Sequence, residues 1–123
     1  MSRGVNKVIL VGKVGQDPES NHLDSGAVLV EFSVATSRAW TTKAGEKEES
    51  TEWHRVKAWN KTAEFIERSV RKGSQVYIEG RLETRSWEGD DGKKVYRTEV
   101  NAFQVELLGR RDDPEYGDDD LPF

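Results

Sequence analysis

The 123-residue chain contains no cysteine, which removes disulfides, thiolate metal sites and cysteine nucleophiles from consideration. That absence fits a reducing cytoplasm. No apolar run approaches the roughly 18 residues needed to span a bilayer, and the opening MSRGVNKVILVGK has no small-residue cleavage site of the kind that ends a secretory signal. A soluble cytoplasmic protein without membrane association is the expectation. Only two histidines occur, His22 and His54, in different contexts; there is no Ser, His and Asp arrangement with a nucleophile elbow and no glycine loop that would cradle a phosphate. Of the two acidic clusters, Asp90 and Asp91 read as turn residues and Asp118 to Asp120 have no scaffold around them. No metal, cofactor or catalytic residue is assigned, and the chain reads as a binding protein rather than an enzyme.

Length allows one domain with a real core. The net charge of −4 divides unevenly: residues 112 to 123 hold six acidic residues and no Lys or Arg, leaving 19 basic against 17 acidic in the first 111, a net of +2. A mildly basic body with a strongly acidic end is the asymmetry of a polyanion-binding domain carrying an interaction tail, although acidic ends also serve solubility alone.

Between Thr51 and Lys61 the chain reads TEWHRVKAWNK. The two-residue period of a strand puts Trp53, Arg55, Lys57 and Trp59 on one face and His54, Val56 and Ala58 on the other. Burying the first face would desolvate two cations, at several kcal/mol each unless they are paired. An outward row of indoles and cations suits single-stranded nucleic acid, whose bases stack on Trp and whose phosphates meet Arg and Lys. The strand alone leaves a second reading open, in which the tryptophans pack under a neighbour and the cations snorkel past them. His54, on the apolar side, reads as a core or interface residue.

In chain order, Val5 to Gly15 reads as a first strand with Gly12 and Gly15 marking a bend or bulge. Ala27 to Thr36 alternates cleanly, with Val28, Val30, Phe32 and Val34 inward and Glu31 and Ser33 outward. Ser37 to Ser50 has no periodicity and predicts a long mobile hairpin excursion, in which Trp40, beside Arg38 and Lys43, either folds back on the core or closes over a bound strand. Asn60 to Lys72 predicts a short helix, capped by Asn60 or Thr62, burying Ala63, Ile66 and Val70 and ending before Gly73. Lys61, Arg71 and Lys72 stand at its ends. Ser74 to Trp87 predicts a long strand bent at Gly80, with Val76, Ile78 and Leu82 as core candidates, and the Asp-Gly chemistry of EGDDGKK turns it into a last strand, Val95 to Leu108. Trp87 lies beside Arg85 near that hairpin's tip. The order β-β-β-α-β-β fits a mainly all-β fold, the five-stranded OB-fold Greek-key barrel with one short helix between strands 3 and 4.

Four blocks, RGVNKVILVGKVGQDPE, TEWHRVKAW, KGSQVYIEGRL and the final DDDLPF, resemble the bacterial single-stranded DNA-binding proteins, the SSB family, over residues 3 to 109 and again at the last six. The resemblance implies an OB-fold subunit of a homotetramer that binds single-stranded DNA without sequence preference in replication, repair and recombination. It implies stacking at Trp40, Trp53, Trp59 and Trp87, backbone contacts from Arg3, Lys43, Arg55, Lys61, Lys72 and Arg85, and a place for His54 at the subunit interface. It further implies that Asp118, Asp119, Asp120, Leu121, Pro122 and Phe123 recruit replication and repair enzymes.

The chain departs from the family in one respect. Only residues 110–117 join barrel to tip, a span of roughly 25–30 Å at full extension, where family members carry a long Gly-, Pro- or Gln-rich linker. The tip therefore stays at high effective concentration near the barrel, where it competes with DNA. Two other functions remain to be separated by experiment: an oligomeric OB-fold adaptor whose acidic tail is the main functional element, and a metal-dependent nuclease.

Overall fold

The computed structural model describes residues 3–109; the linker 110–117 and the acidic tip 118–123 lie outside the described residues. The elements are β1 (Val8–Val14), β2 (Glu19–His22), β3 (Val28–Thr41), β4 (Lys47–Trp59), α1 (Asn60–Ser69), β5 (Gln75–Glu88) and β6 (Lys94–Gly109). β1 pairs with β5 along most of its length, as at Leu10 opposite Ile78, and its end turns onto β3 at Lys13 opposite Ala35. From β5 the ladder passes to β6, from β6 in parallel to β4, and from β4 back to β3, which closes a barrel of five strands. The four-residue β2 is added along β3, outside that circuit. Counting barrel strands alone, α1 follows the third, as the OB-fold reading requires.

Alternation along β3 buries Val28, Val30, Phe32 and Val34; Val56 and Ala58 of β4, Val76 and Ile78 of β5 and Val100, Ala102 and Val105 of β6 complete the core. Val14 and the helix residues Ala63 and Ile66, with Val70 just after, join the same cluster. The amphipathic period of α1 thus plugs the barrel.

Four expectations are corrected. The first strand is shorter than Val5 to Gly15 and occupies only Val8–Val14. The segment from Ser37 to Ser50 is a ladder rather than an aperiodic excursion, paired rung by rung from Leu29 opposite Trp59 to Thr41 opposite Lys47. Beyond the barrel both faces of a two-stranded ribbon meet water, so backbone pairing holds it without any apolar alternation for the sequence to display. Neither Asn60 nor Thr62 caps α1: Trp59 holds the N-cap position in an extended conformation without a side-chain cap. Asn60 instead adopts a positive φ of 53° and its Oδ1 accepts the Val28 N–H at 3.1 Å, so it turns β4 into the helix and ties down the start of β3. Leu82, opposite the buried Val100, is 48% exposed, because β1, the other neighbour of β5, ends at Val8 opposite Gly80 and no longer flanks it.

The bend at Gly80 is present: the register slips between Glu79 and Gly80, and a Cβ there would come within 2.4 Å of the Asn101 carbonyl oxygen. No helix among the described residues is long and apolar enough to cross a membrane.

Candidate nucleic-acid interface

Because Val56 and Ala58 point into the core, the pleat of β4 turns Trp53, Arg55, Lys57 and Trp59 outward. Their neighbours across the ladder on β3 are Ala35, Ser33, Glu31 and Leu29. On the other side Lys57 is level with Asn101 of β6, and the odd-numbered residues of the β5–β6 hairpin continue the surface: Arg81 opposite Asn101, Glu83 opposite Glu99, Arg85 opposite Arg97 and Trp87 opposite Val95. Trp53 is 62% exposed, Trp59 38% and Trp87 39%, so three of the four indoles share one outer face with part of each ring in water. Trp40, 39% exposed, is across from Glu48 and leaves the other side of the β3–β4 ribbon.

Three of the four rings have a specific neighbour. Trp53 packs against the end of β1, where a Cβ on Gly15 would come within 2.4 Å of the indole Cζ3, so glycine makes the seat. Trp87 has the Arg85 and Arg97 guanidinium carbons 5.4 and 5.3 Å from its ring centroid, and Trp40 has Arg38 at 4.8 Å. These cation–π contacts fix ring orientation while leaving the guanidinium edges for other acceptors.

The cations between the rings are not free. Arg85 Nε lies 3.1 Å from Glu99, Lys57 Nζ 3.1 Å from Glu83 and Arg55 Nε 3.7 Å from Glu99. The Asn101 amide donates to Glu83 at 2.9 Å, and that hydrogen bond, followed by Lys57, holds the Glu83 carboxyl below its ordinary value. A cleft of about 200 Å³ borders the face beside Arg55, lined also by Asp17, Glu19 and Glu31. Its carboxylates repel phosphate, so it bounds the surface rather than extending it.

The remaining expected backbone contacts sit on other elements. Lys43 occupies the β3–β4 turn, Lys61 the first turn of α1 and Arg3 the segment before β1, all exposed. Lys72 is exposed after the helix, where its backbone N–H donates to Asp17 at 2.7 Å. His54 lies on the side of β4 away from Trp53, its Nε2 2.9 Å from Thr36 Oγ1. No group of three His, Cys, Asp or Glu residues that would hold a metal ion occurs among the described residues.

The model of the Single-strand binding protein family matches residues 5–108. The chain belongs to that family. Single-stranded DNA-binding protein 1 of Chlorobaculum tepidum is 46% identical over 113 residues, covering 91% of this chain and 70% of its own. Among solved structures, the Plasmodium falciparum SSB complex with ssDNA superposes with a TM-score of 0.77 at 30% identity, over 89% of this chain and 97% of that one. A deletion mutant of the single-stranded DNA binding protein from Thermus aquaticus gives 0.76 at 32% identity, over 92% of this chain and 55% of that one.

In this family member the structure adds residues that the sequence pattern did not single out. Arg97 is the second cation on Trp87. Phe103, 57% exposed, follows the buried Ala102 at the end of the β4–β6 ladder and is skipped where the β5–β6 register shifts, so its ring stands out from the barrel wall. The alternation of buried Val100 and Ala102 was the signal for it. The carboxylates Glu83 and Glu99 carried none, since only the fold brings β4, β5 and β6 together.

Proposed function

We propose that the protein binds and protects single-stranded DNA without sequence preference, by stacking bases on Trp53, Trp59 and Trp87 and passing phosphates along Arg55, Lys57 and Arg85. The observation that carries this reading is one outer face on which three part-exposed indoles stand among cations; a flat aromatic surface accepts any base. Trp40, Arg3, Lys43, Lys61 and Lys72, exposed on other parts of the barrel, are the further contacts of a longer strand in this reading. Titration with poly(dT) should quench tryptophan fluorescence, with log affinity falling against log salt at a slope of about −0.7 per phosphate neutralised. Absence of quenching, or equal affinity for duplex, overturns the reading.

The cellular role that follows is service to DNA replication, repair and recombination in the cytoplasm, as a homotetramer with His54 at a subunit interface. A tetramer mass by light scattering, lost or lowered in His54→Ala, tests the assembly. The acidic residues Asp118 to Phe123 are the docking peptide for partner enzymes: carboxylates for a basic pocket, and Leu121 and Phe123 for an apolar notch. Deleting them should abolish partner capture while DNA affinity holds or rises.

A further inference from the structure

Three cations on the indole face converge on one carboxylate. Glu99, 3% exposed, places Oε1 3.1 Å from Arg85 Nε and 3.9 Å from Lys57 Nζ, and Oε2 3.7 Å from Arg55 Nε. Directly opposite it on β5, Glu83 receives Lys57 at 3.1 Å and Arg81 at 3.3 Å. A carboxylate taken out of water persists as a charge only with cations close by. The dependence runs both ways. Arg55 and Arg85 are long, flexible side chains, 52% and 54% exposed, that would otherwise sample many rotamers, and the buried anion draws them to one place between Trp53 and Trp87.

We propose that Glu99, with Glu83 beside it, is the counter-charge that holds Arg55, Lys57 and Arg85 in a fixed array and limits how much phosphate charge that array neutralises. The inference rests on the single-stranded DNA reading above. A phosphate that reaches the array shares cations already committed to a carboxylate, in a partly buried setting that strengthens those existing pairings. The face consequently grips DNA by stacking more than by charge, and the strand is released readily. Glu99 acts through the cations and is a positioning residue; it need not touch DNA.

Fluorescence titration of the full chain with oligo(dT) across a fourfold range of salt tests this, with melting temperature recorded alongside. Glu99→Gln is expected to bind more tightly at low salt, with a log–log slope steeper by about 0.7, equivalent to one further phosphate. The advantage over wild type then shrinks by roughly two- to threefold across that range. Glu99→Asp, which keeps the charge, is expected to retain the wild-type slope. Glu83→Gln alters a side chain still 35% exposed and is expected to move the slope in the same direction even where Glu99→Gln fails to fold. An unchanged slope in a folded Glu99→Gln or in Glu83→Gln overturns the proposal, as does weaker binding that parallels wild type at every salt concentration, the mark of a merely structural carboxylate. Failure of wild type to bind oligo(dT) would instead remove the DNA reading itself.

Discussion

Trp40 and Trp53 leave opposite faces of the same two-stranded ribbon. Trp53 is across from Ala35, and Trp40 lies five residues further along β3 from Ala35 in an unbroken register, so the pleat sends the two rings to different sides. A strand that stacks on both has to follow the ribbon's twist or round its edge. Trp53→Ala should therefore weaken binding of short and long oligo(dT) alike, by roughly 1–3 kcal/mol. Trp40→Ala should leave short oligomers unaffected and weaken only those long enough to round the ribbon. Equal losses at every length would show that both rings serve one continuous track.

Asn60 serves the barrel rather than the helix. Its positive φ and its acceptance of the Val28 N–H join the end of β4 to the start of β3, two strands that must meet for the circuit to close. Asn60→Ala removes the acceptor from a half-buried donor and leaves a Cβ-bearing residue without local hydrogen bonding in the left-handed region. The expected loss is about 1–3 kcal/mol of unfolding free energy, read by urea titration. Asn60→Gly should recover part of it, because glycine restores the conformation but not the acceptor.

The half-buried strands were legible in the sequence because burying one face writes a period of two: Val28 to Val34 and Val56 with Ala58 could be placed without coordinates. So could the bend at Gly80 and the apolar side of the helix. The ribbon from Ser37 to Ser50 was not, since nothing there is buried on either side and backbone hydrogen bonds leave no trace in side-chain chemistry. Leu82 misled because inward parity on a strand implies burial only while the strand is flanked on both sides. At the binding face, the outward direction of Trp53 and Trp59 was readable from one strand. Their relation to Trp87 and the carboxylates beneath it was not, since it depends on closure between β4 and β6.

Acid should loosen the fold through two identified carboxylates. Glu67 is held below its ordinary value of 4.5 chiefly by its hydrogen bond with His22, 2.8 Å away, and Glu83 chiefly by that from Asn101. A carboxyl with a depressed folded-state pKa contributes stability that is fully present above the unfolded value and lost as pH falls through the folded one. Melting temperature should thus fall as pH drops below that ordinary value of 4.5, and the fall should be shallower in Glu67→Gln and in Glu83→Gln. Glu67→Gln should leave oligo(dT) affinity at neutral pH unchanged, because it lies on the helix, away from the indole face. An acid profile identical to wild type in both variants would assign the transition to other groups.

Phe103 stands exposed just past the last rung that joins β4 to β6. It stands one residue beyond Ala102, as Trp59 stands one beyond Ala58, and those two alanines are paired across parallel strands about 4.8 Å apart. Its neighbour Thr62 donates to the Phe103 carbonyl at 3.5 Å, which ties the position to the helix start near Lys61. An exposed Phe gains little for the isolated fold, so Phe103→Ala should alter melting temperature little while costing roughly 1 kcal/mol or more in affinity for long oligo(dT). Phe103→Trp should restore the affinity and add a fluorophore that DNA quenches, a signal that burial against another subunit would not produce. Unchanged DNA affinity together with a lowered assembly mass in Phe103→Ala would place the ring at a subunit contact, because the same exposed apolar surface is accounted for by either partner and only the ligand distinguishes them.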